Sequence, residues 1–117
     1  MKLRIRDNSV GLRLTQDEVE TLRKQGVVSA RTGFPGGREL RYELESSPAS
    51  VAPAAFFSDN VLTVRLPETA VLAWATTEQV TIEGEQVLVD GEKLVIAVEK
   101  DFEGCMRLDE DMEGRGK

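Results

Sequence analysis

Residues 2–26 read KLRIRDNSVGLRLTQDEVETLRKQG, and this stretch decides how the fold begins. Polar and apolar side chains alternate in residues 2–6 and again in residues 10–14, which is typical of half-buried strands. The intervening Asp7-Asn8-Ser9 is rich in turn formers. We therefore predict that the chain opens with an antiparallel hairpin.

The alternation also predicts the register of this hairpin. If Ile5 lies opposite Val10, the apolar side chains of both strands share one face, whereas a slip of one residue would bury the arginines. On the other face, Arg4 then meets Gly11 and Lys2 meets Arg13. We therefore expect Lys2, Arg4 and Arg13 to form a basic outer face, which is the candidate site for an anion or a partner.

A helix is predicted directly after the hairpin. Thr15 and Glu18 have the spacing of a capping box, in which each side chain accepts from the other residue's backbone N–H. The helix ends with Arg23 and Lys24 in its last turn and stops at Gly26.

Strand patterns then alternate with turn signals along the rest of the chain. Residues 27–32, 40–45, 51–57 and 61–66 are predicted strands, and the glycine-rich segment 33–37 is a turn. A second helix begins near Pro67 and presents Trp74 to the core. Asp90-Gly91 predicts a two-residue type I′ hairpin turn between the last two strands.

These elements predict the fold class: a single α+β domain with a mainly antiparallel sheet, or half-barrel, and two short helices. The domain is expected to span residues 1–102. Residues 103–117 are acidic and glycine-dotted, with Asp109, Glu110 and Asp111 at their centre, and are predicted to be a disordered tail. No internal repeat is evident in the sequence.

Composition excludes several classes of function. The chain has no histidine and one cysteine, Cys105, so histidine-based catalysis and an intrachain disulfide are ruled out. A net charge of −6 disfavours general nucleic-acid binding. No signal peptide or apolar membrane span is present in the sequence, so we expect a soluble cytoplasmic protein.

Three stretches resemble a family of small bacterial proteins that is carried as a domain of unknown function. They are MKLRIRDNSVGLRLTQDEVETLRKQG, VRLPETAVLAWATTEQVTIEGEQ and LVIAVEKDFEGCM. The resemblance covers nearly the whole chain up to about Met106. It implies no activity, cofactor or site residue.

Four candidate constellations have simpler structural explanations. Glu99-Lys100-Asp101-Phe102 is interpreted as a charged strand end, Cys105 as an unreactive thiol, and the acidic residues 109–111 as solvated tail. The pairs Glu43/Glu45 and Glu83/Glu85 each place two carboxylates on one strand face, as in triphosphate-hydrolysing tunnel enzymes, but the lysine of that motif is missing here.

The sequence leaves two functions open. The first hypothesis is a non-enzymatic binding or interaction domain whose partner is another protein or a second copy of this chain, without nucleic acid, membrane or cofactor. The alternative is a small phosphoester or triphosphate hydrolase that uses carboxylates and arginines. In the first case, the charges of Lys2, Arg4 and Arg13 are compensated either by acidic residues of this chain, which we favour, or by an external anion.

Overall fold

The computed structural model describes residues 1–101 as eight strands and two helices. The elements, in chain order, are β1 (Lys2–Arg6), β2 (Ser9–Leu14), α1 (Gln16–Gln25), β3 (Val27–Phe34), β4 (Arg38–Ser47), β5 (Ala54–Ser58), β6 (Val61–Pro67), α2 (Glu68–Ala75), β7 (Thr81–Val87) and β8 (Lys93–Lys100). The predicted α+β class with two helices is confirmed. Neither helix is long and apolar enough to cross a membrane.

The strands form two four-stranded sheets, which are not closed into a barrel. Sheet I has the order β1-β2-β8-β7, and sheet II has the order β3-β4-β6-β5. The outer pairs in each sheet are antiparallel, whereas the two central pairs, β2–β8 and β4–β6, are parallel. The sequence pattern predicted a mainly antiparallel sheet or half-barrel without the division into two sheets, because tight turns reveal only the pairing of consecutive strands.

The register predicted for the first hairpin is confirmed. Ile5 pairs with Val10, Leu3 with Leu12, Arg4 with Gly11 and Lys2 with Arg13. The polar side chains of this hairpin therefore lie on the outer face of sheet I, and its apolar side chains lie on the opposite face, where Val10, Leu12 and Leu14 are buried while Ile5 remains 61% exposed.

The chain repeats one structural unit of hairpin, helix and hairpin. The first copy contains β1 to β4 and the second contains β5 to β8, so that β2 corresponds to β6 and α1 to α2. Leu12-Arg13-Leu14 before α1 matches Val64-Arg65-Leu66 before α2. The repeat is a property of the structure and is not evident in the sequence, because only short motifs keep the likeness there.

The two copies are joined at the centre of both sheets. Arg13 of the first copy pairs with Glu99 of the second at 3.2 Å, and Arg65 of the second pairs with Glu45 of the first at 2.7 Å. Both pairs are register partners across the parallel strands. Each sheet thus takes two strands from each copy.

One hydrophobic core lies between the sheets and the helices. Trp74 is fully buried, which confirms its predicted place in the core, and its indole N–H donates to the carbonyl of Val80 at 2.8 Å. The other buried apolar residues come from both copies: Val10, Leu12, Leu14, Val19, Leu22, Val28, Leu44, Leu62, Val64, Leu66, Val71, Ile82, Ile96 and Val98.

The predicted capping box at the start of α1 is present. The Thr15 hydroxyl accepts from the Glu18 backbone N–H, and the Glu18 carboxylate accepts from the Thr15 N–H and from the Met1 amine. Partial burial raises the pKa of Glu18, but the bonds from Met1 and Thr15 outweigh it and hold that pKa below its usual value. Gly26 ends the helix with a φ of 85°.

The last hairpin turn differs from the prediction. The Gly91 N–H donates to the Leu88 carbonyl, and Leu88 N–H donates to the Glu92 carbonyl, so three residues form the loop. The predicted positive φ of Gly91 is confirmed at 88°, but Asp90 is not left-handed and the turn is not type I′. Positive φ at two successive residues instead occurs at Asp59-Asn60, in the turn between β5 and β6.

Candidate functional site

The predicted basic residues Lys2, Arg4 and Arg13 lie together on the outer face of sheet I. Lys2 and Arg4 project from the edge strand β1, and Arg13 projects from β2 beside Lys2. Arg6 continues the row on β1. Alternate residues of a strand are about 6.6–6.8 Å apart, so the three cations of β1 form a line rather than a cluster.

A shallow groove of about 700 Å³ runs over this face, and we call it the sheet I groove. Its floor is formed by two small residues, Gly11 and Ala97, which are register partners across β2 and β8. Its basic wall is β1, with Lys2 and Arg4. The other residues that line it are Leu3, Ile5, Ser9, Val10, Leu12, Arg13, Val95 and Glu99.

The groove exists because its floor lacks bulk. A Cβ atom at Gly11 would meet only the carbonyl oxygens of Ala97, at 3.8 Å, and Arg4, at 3.9 Å. Space therefore does not require glycine here, and its φ is not in the left-handed region. Glycine inside a strand costs about 0.5–1 kcal/mol relative to alanine, and one setting in which it occurs is a close approach of a ligand or another backbone.

The basic residues differ in how their charge is compensated. The Lys2 ammonium lies 3.9 Å from the Asp101 carboxylate, and the Arg13 guanidinium lies 3.2 Å from that of Glu99. Arg4 has no carboxylate partner within residues 1–101. The structure therefore compensates Lys2 and Arg13 internally and leaves Arg4 beside an open floor.

Acidic residues stand on the opposite side of the same face. Glu83 of β7 is the register partner of Ala97, so that Arg4, Gly11, Ala97 and Glu83 form one row across the sheet. Three strand spacings, about 14 Å, separate its two charged ends. The face is therefore dipolar, with a basic edge and an acidic edge.

The carboxylate pairs named for the hydrolase alternative do not converge. Glu83 and Glu85 lie on the outer face of sheet I, whereas Glu43 and Glu45 lie on the outer face of sheet II. Glu45 is held by Arg65, and Glu85 lies 3.4 Å from Lys93. Within residues 1–101, no group of three or more potential metal ligands occurs.

The charged end of β8 has structural roles. The Lys100 ammonium donates to the carbonyl of Thr77 at 2.8 Å and lies 5.8 Å from the ring centre of Trp74. Glu99 binds Arg13, so the two neighbouring charges point to opposite faces of the strand. The remaining sequence candidates, Phe102, Cys105 and residues 109–111, lie outside the described residues.

A smaller hollow of about 420 Å³ lies near the turns of sheet II. It is lined by the cations Arg38 and Arg41, and Arg38 has no carboxylate partner within residues 1–101. Arg41 is bound by Glu39 at 3.3 Å, and Glu39 also binds Arg31 at 2.9 Å. Hydrogen bonds from Arg31 and then Arg41 hold the pKa of Glu39 below its usual value. Because the carboxylates of Glu39 and Asp59 also line this smaller hollow, it is a weaker candidate for an external anion.

Sequence reasoning found the basic side of the groove but missed its floor. Ala97 lies in an apolar run that gives no sign of a site, and it reaches Gly11 only through the parallel pairing of β2 with β8. The available signal was Gly11 itself, an unusual residue for a strand interior.

The fold and the groove define a small α+β domain with an open, dipolar sheet face whose basic edge carries an uncompensated arginine. The chain belongs to DUF7009, a family of unknown function, whose family model matches residues 1–115. This confirms the resemblance to a domain of unknown function. No curated protein and no solved structure matches the chain.

Proposed function

We propose that this protein is a non-enzymatic binding domain and that the sheet I groove binds an anionic group of its partner. The observation that carries the proposal is Arg4, which has no carboxylate partner within the described residues and borders a groove of about 700 Å³. The other cations that line the groove, Lys2 and Arg13, are compensated internally, so Arg4 is the cation of the groove to which an incoming anion adds most.

Electrostatics supports an anion at this position. Arg4 lies on one strand face between Lys2 and Arg6, and like charges so placed repel one another. One exposed ion pair contributes only about 0.2–1 kcal/mol. Binding therefore needs several contacts along the basic wall, which favours a ligand with more than one anionic group.

The groups around Arg4 favour binding over catalysis. The Ser9 hydroxyl donates to the carbonyl of Arg6 at 2.7 Å, and no base within residues 1–101 is hydrogen-bonded to it. Among the described residues that line the groove, Glu99 carries the only carboxylate, and it is paired with Arg13. Covalent catalysis needs a nucleophile that is oriented by a base, and these side chains do not provide such a pair.

Thermal unfolding with inorganic phosphate and tripolyphosphate tests the proposal. We expect a saturable rise in Tm that is larger for tripolyphosphate and that Arg4→Ala reduces, because a ligand bound only to the folded state stabilises it. Arg38→Ala is the matched control, since Arg38 is an exposed arginine of sheet II without a carboxylate partner in the described residues.

Two results would overturn the proposal. One is a Tm that does not depend on either anion beyond a sodium chloride control of equal ionic strength. The other is metal-dependent release of phosphate that is lost in Glu83→Gln with Glu85→Gln, which would establish the hydrolase alternative.

A further inference from the structure

We infer that the anionic ligand of the sheet I groove is an acidic peptide segment in extended conformation. This inference rests on the proposed function and names the class of its ligand. It follows from the spacing of the cations, the shape of the floor and the charge of the opposite edge.

The spacing of the basic wall matches an extended chain. Lys2, Arg4 and Arg6 occupy alternate positions of β1, so their spacing is about 6.6–6.8 Å. A second extended chain that lies over this face presents its own alternate side chains at the same spacing. Acidic residues at every second position can therefore meet successive cations, whereas a compact anion such as phosphate contacts one cation well.

The floor suits a polypeptide laid along the strands. Gly11 and Ala97 carry little or no side chain, and Val95 adds an apolar surface at one end of the groove. Small and apolar floor residues let the backbone of an extended chain approach the sheet closely. The groove is lined along β2 from Ser9 to Arg13, a length that holds several residues of an extended peptide.

The opposite edge favours a peptide over a nucleic acid. Glu83 shares a row with Arg4, and Glu85 shares a row with Val95 and Ser9. A strand of phosphates would be repelled by this edge and by the net charge of −6. A peptide can instead direct acidic side chains to β1 and a basic or neutral one to β7.

Fluorescence anisotropy with two labelled peptides of identical composition tests the inference on the full chain. Both contain four glutamates and four alanines with blocked termini, alternating in one peptide and in two blocks in the other. We expect the alternating peptide to bind about fivefold more tightly or better, which corresponds to two or three additional exposed ion pairs. Arg4→Ala should remove this preference, and Arg38→Ala should retain it.

Gly11→Val supplies a second test that does not alter charge. Its Cβ makes only ordinary van der Waals contacts, with the carbonyl oxygens of Ala97 and Arg4, and valine suits a strand, so the variant should fold with an unchanged or higher Tm. Because the side chain occupies the floor, peptide binding should fall at least fivefold. Binding equal to that of the wild type would show that the peptide does not use the groove.

The outcomes separate this inference from the proposed function. Equal affinity for both peptides, with phosphate stabilisation that still depends on Arg4, would overturn the extended peptide and retain the anion site. Tighter binding of a single-stranded oligonucleotide of equal charge would also overturn it. Absence of both phosphate and peptide binding would overturn the inference and the proposed function together.

Discussion

Gly84 is the glycine of the described residues at which an added Cβ would be most crowded, so its replacement by alanine should destabilise the fold. It lies on the inner side of β7, where Pro53 packs against it between the two sheets. An added Cβ would lie 2.7 Å from Pro53 Cγ and 2.9 Å from Pro53 Cβ, whereas carbon atoms are in favourable contact at about 3.5–4.0 Å. The proline ring is rigid, so the strand or the loop must move.

The expected magnitude follows from two opposing terms. Overpacking of this kind costs about 1–3 kcal/mol, and replacing a strand glycine by alanine returns about 0.5–1 kcal/mol. Together these terms span about 0–2.5 kcal/mol, so Gly84→Ala should lower the free energy of unfolding by about 1 kcal/mol, which is roughly 5 °C in Tm for a domain of this size. Urea and thermal unfolding can be followed by the fluorescence of Trp74, the single tryptophan.

Gly11→Ala is the matched control, because it makes the same chemical change in a strand where the nearest atom lies 3.8 Å from the new Cβ. It should leave stability unchanged or raise it by up to about 1 kcal/mol. Pro53→Ala should remove much of the penalty at Gly84 in a double-mutant cycle. Equal unfolding midpoints for the two alanine variants would refute the argument from close approach.

Three other substitutions test the turn, the cap and the core. Gly91→Val should cost more than about 1 kcal/mol because a β-branched residue is strained at a φ of 88°, and an unchanged Tm would contradict this geometry. Since the pKa of Glu18 is lowered in the fold, its carboxylate should stabilise the protein above its ordinary pKa of about 4.3, and this stabilisation should be lost as the pH falls further. Glu18→Gln should therefore weaken the fall of the urea unfolding midpoint at acidic pH. An unchanged fall would mean that other groups cause the loss of stability in acid. Trp74→Phe removes the donor to the Val80 carbonyl and should cost about 1–3 kcal/mol, as measured by circular dichroism in urea; a loss of less than about 0.5 kcal/mol would mean that this hydrogen bond contributes little.

Local patterns were sufficient to predict the first third of the chain. The alternation in β1 and β2 favours the register that places Ile5, Leu3 and Val10 on one face and the arginines on the other, and the structure has that register, although Ile5 remains exposed. Thr15 and Glu18 act over three residues, so the helix start could also be predicted. The basic side of the groove followed from the same alternation.

Contacts between distant segments could not be predicted. The parallel pairs β2–β8 and β4–β6 join residues far apart in sequence, and the pattern of a strand does not indicate which other strand it pairs with. For that reason the division into two sheets, the floor of the groove and the separation of Glu43 from Glu83 were not foreseen. The type predicted for the turn at Asp90-Gly91 was wrong because glycine at positive φ suits both a type I′ turn and the three-residue loop.

The cross-pairing of the two repeated units makes the fold equivalent to a swapped dimer whose subunits have been joined into one chain. Neither unit can complete a four-stranded sheet alone, because β2 and β4 of the first require β8 and β6 of the second. The connecting residues 48–53 therefore act as a tether that holds each unit at an effective concentration in the millimolar range near the other. A chain cut within this tether would become a two-component complex whose folding depends on protein concentration.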